Sequence, residues 1–115
     1  MSDSSQDAAV GARPQPDVEV VPSGPNRFGV RGALTFRTAR RAVDAGIRAF
    51  GASTASTIEV DLSGVRASDS AGLAVLIEWI AWARRSSRQL ALRNLPEAIR
   101  AIARISDVER LVSGG

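Results

Sequence analysis

The spacing of apolar residues along the chain changes period several times, and each change marks an element. From Thr57 to Leu62 the pattern alternates, with Ile58, Val60 and Leu62 on one side and Glu59 and Asp61 on the other. This predicts a strand with one face against helices and the other less covered. A short strand is predicted at Val18 to Val21, ended by the turn cluster Pro22-Ser23-Gly24-Pro25. Arg27 to Gly32, with Phe28 and Val30 alternating, reads as its hairpin partner. Thr35 then offers a helix N-cap, and Phe36, Ala39, Val43, Ile47 and Phe50 recur at helical spacing up to Gly51, placed as the C′ residue. Arg37, Arg41, Asp44 and Arg48 fall on the opposite, solvated side.

A second helix is predicted from about Ser70 to Arg85 and a further strand from Gln89 to Leu92. A strand-helix-strand unit of that length favours a parallel pair. Pro96 suits the first position of a third helix, with Glu97 in its first turn and an inner stripe of Ala98, Ile99, Ile102 and Ile105. A short element from Asp107 to Val112 closes the chain. The expected architecture is α/β: a small mixed sheet of about four strands packed with three to four helices, forming a single domain over residues 18–115. Residues 1–17, rich in Ser, Asp, Ala, Gly and Pro, bury too little apolar surface to offset ordering and are expected to form a flexible tail.

The second helix has apolar residues on more than one face. At 100° per residue, Leu73, Leu76, Ile77, Ile80 and Ala83 form the expected core stripe, while Val75, Trp79 and Trp82 lie outside it. Two readings stand side by side. Either the tryptophans form an apolar patch for a partner, or Trp79 packs on the first helix or a neighbouring loop and Trp82 is a single exposed residue. Membrane-surface contact is the weaker option, since Glu78 flanks the pair and no lysine is present.

Composition narrows the chemistry. The chain lacks Cys and His, which removes disulfides, the common zinc sites and every His-dependent triad. All 15 basic side chains are arginine, so a Walker-type phosphate loop, which ends Gly-Lys-Ser/Thr, is impossible. A net charge of +3 is poor evidence for nucleic acid. No apolar run is long enough to span a membrane, and the first residues do not read as a signal peptide. A cytoplasmic protein without metal, cofactor or direct membrane insertion is expected.

The most informative stretch runs from Val60 to Leu73. It reads as a buried strand ending in a tight loop that delivers Asp69 and Ser70 to a helix start, where backbone N–H groups are unpaired and the field is positive. Ser68-Asp69-Ser70-Ala71-Gly72 falls short of a Gly-x-Ser-x-Gly nucleophile elbow because Ser68 holds the first glycine position, and no His is available as base. The pair could simply cap the helix, with Ser70→Ala then costing roughly 0.5–2 kcal/mol. The functional alternative makes Ser70 a contact point or phosphorylation acceptor oriented by Asp69. A phosphate there would be opposed by the Asp69 carboxylate and so disrupt a docked partner.

Asp61-Leu62-Ser63-Gly64-Val65 followed by Asp69-Ser70-Ala71-Gly72-Leu73 resembles the signature of the STAS family (sulfate transporter and anti-sigma antagonist domains). The order of elements over residues 18–112 fits that fold. Leu76-Ile77-Glu78-Trp79, Asn94-Leu95-Pro96-Glu97 and the run from Ile102 to Val108 are similar to the small STAS subunit of Mla-type phospholipid ABC transport systems. That resemblance implies a non-enzymatic cytoplasmic subunit that binds and supports the ABC-transporter ATPase. Ser70 would be the central contact, with Ser68, Asp69, Ala71 and Gly72 around it and Trp79 and Trp82 as apolar anchors. The alternative it implies is an anti-sigma-factor antagonist whose Ser70 is phosphorylated by an anti-sigma factor kinase. Ala71, where many antagonists carry a second Ser, is compatible with either.

Overall fold

The computed structural model describes residues 17–105 and 109–112. Its elements run β1 (Val18–Gly24), β2 (Arg27–Leu34), α1 (Ala39–Gly51), β3 (Thr57–Ser68), α2 (Ser70–Arg85), β4 (Gln89–Arg93), α3 (Glu97–Ile105) and α4 (Glu109–Val112). The four strands lie in the order β1-β2-β3-β4. The β1–β2 hairpin is antiparallel, whereas β2–β3 and β3–β4 are parallel, each joined through a helix. This is the mixed sheet with helices expected of a single α/β domain.

Alternation explains the two faces of the sheet. Phe28, Val30, Ile58, Val60, Leu62, Leu90 and Leu92 point into one buried core with Leu73, Leu76 and Ile99. The opposite face carries charges: Glu59 pairs with Arg27 at 3.2 Å and Arg93 at 3.3 Å, and Glu19 with Arg31 at 3.0 Å. These exposed pairs add little stability and mainly keep that face hydrated.

β3 runs well past the predicted Leu62, and its length places the site. Its pairing with β4 ends at Asp61–Arg93, but its pairing with β2 continues to Leu34–Ser68. Two register shifts, between Gly29 and Arg31 and between Gly32 and Ala33, each insert one extra β3 residue. The long strand thus brings Ser68 and Asp69 beside the end of β2.

Three local expectations are corrected. First, α1 starts at Ala39, with Thr38 rather than Thr35 at its N-cap. The fully buried Thr38 hydroxyl accepts from the Thr35 N–H at 3.0 Å and donates to the Ala33 carbonyl at 2.8 Å, tying residues 35–38 into a turn. Phe36 is therefore swung out of the core stripe and is 74% exposed. At the other end of α1, Gly51 is the last helical residue and Ala52 the C-cap. Second, α3 buries Ile99 and Ala103, with Ile102 partly covered, while Ala98 and Ile105 (86% exposed) face outward. The inner face is rotated from the predicted stripe. Third, Asp17, expected in the tail, is tied to β2. The Asp17 carbonyl accepts from Ala33 N–H at 2.8 Å, while residues 1–16 lie outside the described residues, as does Asp107, the predicted start of the last element.

Candidate functional site

Asp69 is the N-cap of α2, in extended conformation at φ −146°, ψ −168°. Its two carboxylate oxygens serve different elements. Oδ1 accepts from the Ala71 N–H at 2.8 Å, satisfying an otherwise unpaired helix donor, and Oδ2 accepts from the Phe36 N–H at 3.2 Å in the β2–α1 turn. Its main chain adds two more bonds: its N–H donates to the Leu34 carbonyl at 3.2 Å, and its carbonyl accepts from Gly72 N–H at 2.9 Å. The capping function expected of the Asp-Ser pair thus falls to Asp69, and the stability cost assigned to Ser70→Ala moves with it.

Ser70, the first residue of α2, is exposed. Among the described residues its hydroxyl has no hydrogen-bond partner. Ser68 and Ala71 are half-buried beside it, and Gly72 is buried. A Cβ at Gly72 would meet the Leu34 carbonyl oxygen at 2.6 Å and Ile99 Cδ1 at 3.0 Å, so glycine lets α2 sit directly on the end of β2. Ser68 to Gly72 therefore form one fixed corner, with Ser70 as its exposed hydroxyl at the positive end of a 16-residue helix.

The tryptophans resolve differently. Trp79 is fully buried, and its Nε1–H points at the Ala42 and Val43 carbonyls of α1 at 3.2 and 3.3 Å. Its ring stands edge-on to Phe50 with centroids 5.3 Å apart, and its indole fills the space that a Cβ on Gly46 would need. As an exposed anchor Trp79 is corrected: the apolar face outside the predicted core stripe is covered by α1. Trp82 is half-buried, 6.0 Å from Phe50 by ring centroids, with the Arg88 guanidinium 5.4 Å from its own ring. Arg88 also donates to the Phe50 carbonyl at 2.9 Å, which fixes that cover.

Two features escaped the sequence reading. Phe36 falls at helical spacing with the apolar face of α1, and no local pattern separates it from a helical position; only the Thr38 turn does. The second is the contact of Asp61 with Asn94, which adopts a left-handed φ of 57°. The Asp61 carboxylate accepts from Asn94 Nδ2 at 2.9 Å and from the Ser63 N–H at 2.9 Å, and these bonds, the Asn94 one foremost, hold its pKa below the ordinary value. The Asp61 to Gly64 part of the motif thus locks the end of β4 to β3. Among the described residues no cluster of three acidic, His or Cys side chains is placed to hold a metal ion, and no helix is long and apolar enough to cross a membrane.

A family model described as "Mlab, STAS domain" matches residues 24–113. The chain belongs to the STAS family. Within the STAS fold, the structure is similar to that solved as "Structure of the Anti-Sigma Factor Antagonist SpoIIAA in its Unphosphorylated Form". The TM-score is 0.63 at 13% identity, covering 84% of this chain and 85% of that one. At that identity the likeness is one of fold. No match was found among curated proteins. The STAS domain described here places its Asp69-Ser70 corner at the junction of β2, β3 and α2.

Proposed function

We propose that this STAS domain is a non-enzymatic subunit that docks on the ATPase of a phospholipid-transporting ABC complex and supports its activity, working in the cytoplasm at the inner membrane. The observation that carries the reading is the exposed Ser70 hydroxyl on a corner fixed by Asp69, in a chain matched by the Mlab description. Such a corner favours recognition: its groups are already ordered, so docking does not have to freeze them. It does not favour catalysis by Ser70, because the chain has no His to act as base and the Asp69 carboxylate is occupied by two backbone N–H groups. The transported lipid would be handled by other subunits. The test is calorimetric titration of the purified chain with the ATPase subunit of a phospholipid-transporting ABC complex. Wild type should bind, Ser70→Ala should bind more weakly with its fold intact, and Ser70→Glu should bind least. Equal affinity for Ser70→Glu and wild type would move the docking site elsewhere.

A second reading is an anti-sigma-factor antagonist phosphorylated on Ser70. The Ser70 hydroxyl, exposed and without a hydrogen-bond partner among the described residues, and the likeness to SpoIIAA favour it. Incubation with ATP and a candidate anti-sigma factor kinase, followed by intact mass, tests it; an unchanged mass counts against it.

A further inference from the structure

Phe36 stands beside the Ser70 corner and is one of two large apolar side chains that the described residues leave exposed. Single exposed apolar residues are common and carry no message by themselves. Phe36 differs in how it is held. Its backbone N–H is bound by Asp69 Oδ2, and the turn that carries it is closed by the buried Thr38 hydroxyl. One carboxylate thus holds both the backbone of Phe36 and the helix start that carries Ser70, since Asp69 Oδ1 accepts from the Ala71 N–H. An aromatic ring on a fixed backbone loses little conformational freedom when it enters a pocket.

Charge around the ring limits what that pocket can be. The Arg37 guanidinium lies 5.9 Å from the Phe36 ring centroid, and Arg40 is exposed in the first turn of α1. Among the described residues neither has a carboxylate partner. Of the acids around this corner, Asp69 is committed to backbone N–H groups and Asp17 pairs with Arg41 at 3.8 Å, while Asp44 lies one turn further along α1. The surface is therefore a single apolar knob with a cationic rim.

We infer that Phe36 is the apolar anchor of the docking face, seated in an apolar pocket of the partner ATPase whose rim carries carboxylates that meet Arg37 and Arg40. The inference rests on the docking reading above and adds the partner chemistry to it. Aromatic side chains, Phe among them, and arginine are enriched at protein interfaces relative to the rest of the surface. The arginine contacts make the association salt-dependent.

The experiment titrates the purified ABC ATPase with wild type, Phe36→Ala, Phe36→Leu, the double variant Arg37→Glu/Arg40→Glu, Ser70→Glu and the control Ile105→Ala, which removes a comparably exposed apolar side chain. Thermal unfolding of each variant accompanies the titrations. Phe36→Ala should raise Kd about tenfold or more with Tm unchanged, and Phe36→Leu should recover most of the affinity. Ile105→Ala should stay within about twofold of wild type, as expected for a residue outside the interface. Raising salt from about 50 to about 500 mM should weaken wild type, while the double variant should bind weakly with that dependence lost. If Phe36→Ala binds like wild type while Ser70→Glu does not, the anchor is wrong and the docking reading stands. Equal weakening by Phe36→Ala and Ile105→Ala also overturns the anchor. If wild type does not bind the ATPase, both fall.

Discussion

The two halves of α2 solve opposite problems with similar materials. The N-terminal turn leaves a hydroxyl in solvent and spends its hydrogen bonds on fixing the backbone around it: Asp69 alone makes four. The C-terminal half does the reverse. Trp79, a side chain large enough to anchor a partner, is enclosed by Gly46, Phe50 and the Ala42 and Val43 carbonyls. An apolar residue off the core stripe is therefore not free surface when a second helix crosses it. Exposure at the site comes from the turn before α1, where one aromatic residue is turned outward.

Substitutions that break this contrast rank by burial. Trp79→Ala should cost about 3–5 kcal/mol by chemical denaturation, since it empties the contact between α1 and α2 and leaves two carbonyls without the indole donor. A loss below about 1 kcal/mol would mean that α1 closes over the gap unaided. Gly46→Ala sharpens the point by testing the other side of the same contact. Alanine gains up to about 1 kcal/mol in helix propensity, but its methyl collides with a buried indole, and overpacking costs about 1–3 kcal/mol. Net destabilisation is expected, and stabilisation would show that the indole can shift.

At the opposite end, Asp69→Ala should cost about 0.5–2 kcal/mol through the lost cap. It should also speed hydrogen exchange of the Phe36 amide, whose acceptor disappears. Ser70→Ala should stay within about 0.5 kcal/mol of wild type, because the exposed hydroxyl supports nothing in the fold. If these two magnitudes were reversed, Ser70 would be the structural member of the pair.

The smallest effect lies at Asp61. Its folded-state pKa is depressed, so its contribution to stability is present above the unfolded value and is lost as pH falls through the folded one, below roughly pH 4. Asn94→Gly removes the amide while accommodating the left-handed backbone. NMR titration should then show the Asp61 pKa rising toward its ordinary value, with less stability lost on acidification.

What could be read from the sequence depended on how local each cause was. The bounds of α2 are those predicted, because its cap, apolar run and terminal arginines all lie within it. The alternation in Thr57 to Leu62 identified β3 and its two unlike faces. Its extension to Ser68 was hidden, since those residues pair with β2 alone and through two irregularities that composition does not signal. Phe36 was misplaced because a helical period continues through a turn that only the Thr38 hydroxyl reveals. Period alone does not separate the buried Trp79 from the half-buried Trp82, because it gives direction around a helix but not what stands there. The Ser68 to Gly72 corner itself was legible as a motif, while the role of each member was not: cap and exposed hydroxyl belong to different residues of the same pair.

The two register shifts in β3 also set how this domain tolerates change in length. Between the pairs Phe28–Val60 and Leu34–Ser68, β2 advances six residues and β3 eight. Two additional residues are an even number, so side chains at the far end of β3 return to the faces on which they started. Deleting one of them would turn every later β3 residue over and present Asp69 with the wrong side of the loop. Deleting both would restore the facing and merely shorten the strand. Insertions and deletions in this segment should therefore be tolerated in twos and rejected singly.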